Sequence, residues 1–81
     1  MIEAWLYSWF VERGSDPDLN ENYFESGAID SLGAIELIEA VEKHFKFSFR
    51  QHDFQDRRFS TIAGLAEIVD ERVQALSISR E

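Results

Sequence analysis

The apolar residues at the start of the chain repeat with the period of an α-helix. The repeating positions are Ile2, Trp5, Leu6, Trp9 and Phe10. Spacings of three and four residues place side chains on one face of a helix. Gly14 follows this run, and glycine commonly ends a helix. The pattern therefore predicts a first amphipathic helix that ends near Gly14, with both tryptophans filling the core.

A second helical pattern begins at Asp30 or Ser31 and is predicted to end near His44. Its apolar stripe is formed by Ala34, Leu37, Ile38, Val41 and Phe45. At about 100° per residue, the opposite face gathers Leu32, Glu36 and Glu39, flanked by Ile35 and Glu42. Asp30 is a suitable N-cap because its carboxylate can accept hydrogen bonds from the free backbone N–H groups.

A third helix is predicted over residues 61–76, with Ser60 or Thr61 as its cap. Its apolar stripe is Ile62, Leu65, Ala66, Val69, Val73 and Leu76. Gly64 is expected to weaken the helix slightly, because glycine has a low helix propensity. Residues 77–81 are expected to form a frayed, disordered tail.

Two connections join these helices. Residues 15–30 form a long loop, and connections of this length in compact domains are often functional. Four apolar residues are expected to anchor it to the core: Leu19, Tyr23, Phe24 and Ile29. The second connection contains Phe47, Phe49 and Phe54, with one helical turn near residues 51–56. No strand-like alternation is present, so the sequence predicts one all-α domain over residues 1–81, with three long helices and one short helix.

The amino-acid composition excludes several classes of partner and of chemistry. The 81 residues include 16 acids, 8 Lys or Arg and no cysteine, giving a net charge of −8. This balance argues against nucleic acids and anionic membranes as partners and favours proteins with basic patches. Without cysteine the chain has no disulfide and no thiol nucleophile of its own. No apolar run is long enough to span a membrane and no basic leader begins the chain, so we expect a cytoplasmic protein.

Ser31 is the candidate for chemistry, because it lies at the start of the second helix beside the long loop. A helix N-terminus has free N–H groups and a partial positive charge, which stabilise a phosphate ester. Ser31 is a poor catalytic nucleophile, since neither His44 nor His52 falls into a triad pattern. We therefore predict no catalytic residue. Leu32 among carboxylates indicates a docking surface; the alternative is that Leu32 packs against the long loop.

A calcium loop and a cofactor-free adaptor are the alternatives. Residues 16–22 open like an EF-hand, with oxygen ligands at positions 1, 3 and 5. However, Glu21 replaces the glycine of position 6, and Gly27 replaces the carboxylate of position 12. Polar residues that cap turns explain the same loop, and no metal ligand is predicted. The chain could also be an acidic helical adaptor without a covalent cofactor, or a weak calcium binder.

The run of residues 23–32, YFESGAIDSL, resembles the attachment segment of acyl carrier proteins. The resemblance continues through Glu36-Leu37, Glu42 and Phe45, and again at Asp53-Phe54 and residues 59–62. The spacing is most similar to free-standing carriers such as the D-alanyl carrier proteins. Two departures from many fatty-acid carriers are Gly33 after Leu32, and Lys43-His44 where acids are common.

The resemblance implies a four-helix carrier that is not itself an enzyme. Ser31 would hold 4′-phosphopantetheine from coenzyme A, which supplies the missing thiol. An acyl or aminoacyl group would be held on it as a thioester. The implied partners are a phosphopantetheinyl transferase, an activating ligase and a downstream transferase or synthase, and the carrier would be a monomer. Asp30, Leu32, Glu36 and Glu39 are the expected partner-docking residues.

Overall fold

The computed structural model describes residues 2–79 and is all-helical over that range. Its elements are helix α1 (Ile2–Glu12), helix α2 (Ser31–Phe45), two 3₁₀-helices (Gln51–Gln55 and Arg57–Ser60) and helix α3 (Ile62–Ser79). No strand is present among these residues. The prediction of an all-α fold with three long helices is confirmed. Helix α3 continues to Ser79, past the predicted end at Leu76, and Arg80 and Glu81 of the predicted tail lie outside the described residues.

The predicted short helix near residues 51–56 is a 3₁₀-helix, and a second 3₁₀-helix follows it directly. The backbone N–H groups of Asp53, Asp56 and Phe59 each bond to the carbonyl three residues earlier, at 3.0–3.2 Å. Asp56 lies between the two turns with φ −73° and ψ 133°, an extended conformation that interrupts the helix. Its carboxylate then caps the second turn by accepting from the Arg58 N–H at 2.9 Å. Aspartate competes well for such N–H groups, which favours caps and turns over a continuous helix.

One core joins the three α-helices. Helix α1 contributes Leu6 and Phe10, α2 contributes Leu37 and Val41, and α3 contributes Ile62, Leu65, Ile68 and Val69. Trp5 and Trp9, which were predicted to fill the core, are only partly buried and pack against its edge. Two assignments in α3 were wrong. Ile68 is fully buried although it was left out of the stripe, and Leu76 is 44% exposed, because Val73 is the last described side chain of α3 that packs on the core.

The long loop is tied to the start of α3. Tyr23 is buried, its backbone N–H bonds to the Ser60 carbonyl at 3.0 Å, and its hydroxyl donates to the Phe59 carbonyl. Burial raises the pKa of the Tyr23 hydroxyl well above its usual value. The Leu19 carbonyl accepts from the Ala63 N–H at 2.9 Å. These bonds tie the long loop to the second 3₁₀-helix and to the first turn of α3.

The predicted anchors of this loop do not all point inward. Tyr23 and Ile29 are buried and Leu19 is half-buried, as expected. Phe24 is 42% exposed, so its assignment as an anchor was wrong. Tyr23 already fills the core position, and the adjacent Phe24 ring packs against it from outside, with ring centroids 5.0 Å apart.

The polar residues of the loop form turns, as the turn interpretation predicted. The Asp18 carboxylate accepts from the Asn20 N–H at 2.8 Å, and the Asn22 side-chain oxygen accepts from the Phe24 N–H at 2.9 Å. Asp16 accepts from the Tyr7 hydroxyl at 3.2 Å, and this bond raises the pKa of Tyr7. These oxygens serve the local backbone and α1, as Asx residues commonly do.

Gly64 allows close packing between α3 and the second 3₁₀-helix, a role that helix propensity does not indicate. A Cβ atom built at Gly64 would lie 2.7 Å from the Arg58 Cα and closer still to the Arg58 carbonyl oxygen. Only glycine lets the second 3₁₀-helix approach α3 this closely. The expectation that Gly64 merely weakens α3 was therefore incomplete.

We expect Gly64→Ala to destabilise the protein. By helix propensity alone, alanine would stabilise α3 by about 1 kcal/mol. Here the clash is with backbone atoms that cannot rotate away, so we expect a net loss of about 1–3 kcal/mol. Urea unfolding followed by circular dichroism measures the free energy of unfolding. An increase in that free energy would contradict the close contact with Arg58.

A buried ion pair joins the first 3₁₀-helix to α3. The Asp53 side chain is 2% exposed, and its carboxylate accepts from Arg72 Nη2 at 2.6 Å and Arg72 Nε at 3.0 Å. It also accepts from the Arg50 N–H at 2.8 Å, so it caps its own helix. The hydrogen bonds from Arg72 hold the pKa of Asp53 below its usual value and raise the pKa of Arg72. The sequence analysis did not identify this pair.

A second, more exposed ion-pair cluster lies beside it. Arg58 bonds to Glu71 at 2.7 Å and to Asp56 at 2.9 Å, so it links the second 3₁₀-helix to α3. Hydrogen bonds from Arg58 lower the pKa of Asp56 to about 2, and they lower the pKa of Glu71 as well. Together with Asp53 and Arg72, this cluster fixes the connection between α2 and α3.

Candidate functional site at the start of helix α2

The N-terminus of α2 is capped as predicted. The Asp30 carboxylate accepts from the Gly33 N–H at 2.7 Å, and the Asp30 carbonyl accepts from the Ala34 N–H at 2.8 Å. In the described part of the chain, the N–H groups of Ser31 and Leu32 make no hydrogen bond. Asp30 therefore starts the helix and still leaves two donors for an anion.

Ser31 is the first residue of α2, and its side chain is exposed. No histidine, lysine or carboxylate forms a hydrogen bond with its hydroxyl among the described residues. The hydroxyl is thus accessible to another protein but has no base of its own to activate it. An exposed hydroxyl beside free N–H groups can accept a phosphate ester, whereas catalysis by Ser31 would need a partner's base.

Gly33 lets the end of the long loop pack closely against the first turn of α2. A Cβ at Gly33 would lie 2.8 Å from Ile29 Cγ1 and 3.1 Å from Asp30 Oδ1. Ile29 is buried and ends the long loop, so it packs directly against the first turn of α2. A side chain at position 33 would push against Ile29 and the Asp30 cap, which gives a physical reason for glycine at this position.

The exposed face of α2 begins with two apolar side chains. Leu32 is 66% exposed and Ile35 is 55% exposed. The alternative that Leu32 packs against the long loop is therefore wrong. A single exposed apolar residue means little, but two of them one helical turn apart, next to an accessible Ser31, form an apolar patch.

The Glu36 carboxylate forms an ion pair with a residue beyond the end of α1. Its Oε1 accepts from Arg13 Nη1 at 2.8 Å, and the Arg13 guanidinium stacks over the Trp9 ring at 4.1 Å from the centroid. These contacts line a groove of about 310 Å³ between the end of α1 and the start of α2. The sequence analysis placed Glu36 on the docking face but did not identify its bond to Arg13, because the two residues are far apart in the chain.

Three of the four predicted docking residues are exposed, and the fourth forms an ion pair. Asp30, Leu32 and Glu39 are all exposed at or beyond the start of α2. Glu36 is half-buried and forms an ion pair with Arg13. Glu42, at the edge of this face, accepts from the Phe49 N–H at 2.9 Å and so serves the following connection.

The two histidines lie away from Ser31 along the chain, and each contacts a residue of another helix. His44 stacks on Trp5, with ring centroids 4.6 Å apart and planes 21° apart. His52 Nε2 lies 2.9 Å from Arg72 Nη2, beside the buried Asp53. Both side chains are exposed. The ring of His44 thus contacts α1, and that of His52 contacts α3.

Comparison with known families decides the assignment. Residues 12–69 match the family model described as a phosphopantetheine attachment site. The chain belongs to this carrier-protein family. Family members hold a covalent 4′-phosphopantetheine group, and the matched residues include the capped start of α2 and Ser31. The prediction of a carrier protein is confirmed, and no finding favours the calcium-binding or adaptor alternative.

One curated relative agrees with this family. The chain is 32% identical over 62 residues to the D-alanyl carrier protein of Streptococcus mutans, covering 76% of this chain and 77% of the relative. The resemblance to D-alanyl carriers noted in the sequence is thus supported. No solved structure matched the chain. Across residues 2–79, none of the helices is both long and apolar enough to cross a bilayer.

Proposed function

We propose that Ser31 is the residue that holds 4′-phosphopantetheine in this carrier protein. The observation that carries this proposal is the exposed Ser31 hydroxyl at the capped N-terminus of α2, within the matched family segment. The residues present fit the group, because two unbonded N–H groups and the positive end of the helix dipole adjoin the hydroxyl. Ser31 would be the attachment point, and the Ser31 and Leu32 N–H groups would lie beside the phosphate.

The attachment reaction uses coenzyme A as donor. The Ser31 Oγ forms a bond to the phosphorus that bears pantetheine, and the bond from that phosphorus to the bridging oxygen breaks. Adenosine 3′,5′-bisphosphate leaves, and the hydroxyl proton passes to a base of the transferase. Because no base contacts Ser31 in the described chain, that base has to come from the partner enzyme.

The attached group supplies a thiol that holds an acyl or aminoacyl cargo as a thioester. The name of the Streptococcus mutans relative makes D-alanine the first cargo to test. This chain's own residues supply the attachment hydroxyl and the surface that partners bind. We infer that the carrier itself catalyses no step and that it acts as a cytoplasmic monomer.

The docking surface of the carrier comprises Asp30, Leu32, Glu36 and Glu39, together with Ile35. The exposed apolar pair Leu32 and Ile35 supports this assignment, since it adjoins Ser31. The expected partners are a phosphopantetheinyl transferase, an activating ligase and a downstream transferase or synthase. Each has to approach the same end of α2 to reach a group attached at Ser31.

Mass spectrometry tests the proposed function. The purified protein is incubated with coenzyme A, magnesium and a broad-specificity phosphopantetheinyl transferase. We expect a mass increase of one phosphopantetheine, located by peptide mapping on the peptide that contains Ser31. The modified protein is then offered D-alanine, L-alanine and short acyl groups with activating ligases. No mass increase with several transferases would contradict the proposed attachment.

A further inference from the structure

The groove between the end of α1 and the start of α2 lies beside the candidate attachment residue. Its volume is about 310 Å³. Ligand pockets in proteins begin at about 300 Å³, so the groove is large enough for a small ligand. Asp30 and Leu32 both line it, and they are the chain neighbours of Ser31 on either side. A group attached at Ser31 therefore starts close to the groove.

Two glycines line the groove and keep part of it open. Gly27 lies in the long loop with φ +82°, and Gly33 lies in the first turn of α2. Neither residue has a side chain that would fill the groove. A Cβ atom at position 33 would also press against Ile29, which lines the same groove. The two glycines thus preserve the space beside the Asp30 cap.

The opposite wall is an aromatic ring covered by a cation. Trp9 is half-buried, and the Arg13 guanidinium stacks over its ring at 4.1 Å from the centroid. Arg13 Nη1 donates to Glu36 Oε1 at 2.8 Å, its one side-chain hydrogen bond in the described part of the chain. A guanidinium has several further N–H donors, and the carboxylate has a second oxygen. The pair can therefore bond to a ligand and stay intact.

The chemistry of these walls favours an uncharged ligand that has amide groups. A long hydrocarbon chain would remove the Arg13–Glu36 pair from water without replacing its hydrogen bonds, which is unfavourable. A cationic ligand would meet Arg13, and an anionic ligand would meet Glu36. An amide carbonyl can accept from Arg13, an amide N–H can donate to Glu36, and apolar groups can pack on the Trp9 ring.

A pantetheine arm has the chemistry that this groove selects. Between its phosphate and its thiol the arm is uncharged, and it contains amide groups, a hydroxyl and geminal methyl groups. We propose that the groove between α1 and α2 holds the amide-bearing part of an arm attached at Ser31, with Trp9, Arg13 and Glu36 as the contacting residues. This inference rests on the proposed function.

Attachment at Ser31 makes even a weak groove effective. A group on a short flexible linker has an effective concentration in the millimolar range. A groove with a Kd of about 1 mM for the free arm would then be occupied about half of the time. Such weak binding is quickly reversed, so the arm would stay available to the active sites of partner enzymes. The groove would serve as a resting position between partners.

Trp9 provides a direct reporter of the occupied groove. The chain has two tryptophans, so Trp5→Phe leaves Trp9 as the one emitting indole. This variant is compared before and after modification by a phosphopantetheinyl transferase, with the modification verified by intact mass. The measured quantity is the constant for quenching of the emission by acrylamide. We expect modification to lower this constant about twofold, because a ligand in a groove shields the lining residues from solvent.

Trp9→Phe is the matched control, since it leaves Trp5 as the reporter. Trp5 stacks on His44 near the opposite end of α2. At about 1.5 Å per residue, His44 lies roughly 20 Å from Ser31 along the helix axis. The quenching constant of Trp5 should be the same before and after modification. An equal change at both tryptophans would report a general effect on the fold and would overturn the proposal.

Arg13→Gln tests the contribution of the guanidinium. Its control is Arg57→Gln, the same change at an exposed residue of the second 3₁₀-helix that forms no ion pair within the described residues. Both are made together with Trp5→Phe, and each protein is compared with its own unmodified form. We expect Arg13→Gln to abolish most of the change at Trp9 and Arg57→Gln to retain it. A full change in the Arg13 variant would contradict the contact with Arg13.

Nuclear Overhauser effects locate the arm on the wild-type protein. With isotope-labelled protein and an unlabelled arm, we expect contacts between the methyl protons of the arm and the ring protons of Trp9. Contacts with Phe47 and Leu76, which line a second groove near the other end of α2, would overturn the proposal. Modified protein with no contact at Trp9 would also overturn it and leave attachment at Ser31 intact. A wild-type protein that is never modified would contradict the proposed function and this inference together.

Discussion

We expect Ser31→Ala to eliminate the mass increase that coenzyme A and a phosphopantetheinyl transferase should produce on the wild-type protein. The alanine side chain lacks the oxygen that forms the phosphodiester, so the loss is complete rather than partial. Because Ser31 is exposed and its hydroxyl makes no hydrogen bond in the described chain, the fold should be unchanged. Intact-protein mass spectrometry measures the modification, and circular dichroism confirms equal helicity.

Ser26→Ala is the matched control for this experiment. Ser26 is an exposed serine of the long loop before α2, and its hydroxyl accepts from the Ala28 N–H at 3.3 Å, a contact within the loop. The Ser26 variant should gain the full mass of one phosphopantetheine. A Ser31 variant that gained the same mass as wild type would assign the attachment to another hydroxyl.

Asp53→Asn is expected to have the largest effect on stability. The substitution keeps the size of the side chain but removes the charge that pairs with Arg72, whose side chain is 21% exposed. Breaking one member of a buried ion pair leaves the other charge without compensation, at a cost of about 3 kcal/mol. In a domain of this size that corresponds to a fall of more than about 10 °C in Tm. Thermal unfolding followed by circular dichroism measures it.

Asp70→Asn is the control for the Asp53 variant. Asp70 is an exposed residue of α3 and bonds to Gln74 at 2.9 Å. The same chemical change at this surface position should alter the free energy of unfolding by less than about 0.5 kcal/mol. If both variants unfolded alike, the Asp53–Arg72 pair would have no special role in stability.

The pH dependence of stability follows from the same carboxylate. The pKa of Asp53 is lower in the folded than in the unfolded protein, so the unfolded state binds more protons as the pH falls. The stabilisation is therefore present above the usual aspartate pKa of about 3.9 and is lost as the pH falls through the folded value. Asp56 and Glu71 shift in the same direction and add to the loss.

Thermal melts between pH 7 and pH 2 provide the measurement. Wild type should lose stability steeply below about pH 5. Asp53→Asn should show a shallower decline, with the remaining slope due to Asp56 and Glu71. Parallel curves for the two proteins would mean that Asp53 titrates alike in the folded and unfolded states.

Local sequence signals predicted the helices and the candidate attachment site. The apolar spacing in α1 and α2, together with Asp30 before Ser31, was sufficient for the helix positions and the cap, because these features depend on residues within one or two turns. The motif around Ser31 carried the resemblance to carrier proteins. The family match confirms that resemblance.

Contacts between distant residues could not be predicted in this way. Glu36 forms an ion pair with Arg13, and Asp53 forms one with Arg72. Gly64 lies close to the Arg58 backbone. Periodicity describes the faces of one helix and contains no information about which side chain of another element lies opposite. Each of these pairs joins residues from two different elements of the fold.

The sequence by itself determined that this chain is an all-α carrier with its candidate serine at a helix start. Only the tertiary structure decided which charged groups of α2 bond to other parts of the chain. Glu36 forms an ion pair with Arg13, and Glu42 accepts a hydrogen bond from the connection after α2, while Lys43 stays exposed. The physical reason is that helix formation depends on neighbours in the chain, whereas the free charge of a surface depends on neighbours in space.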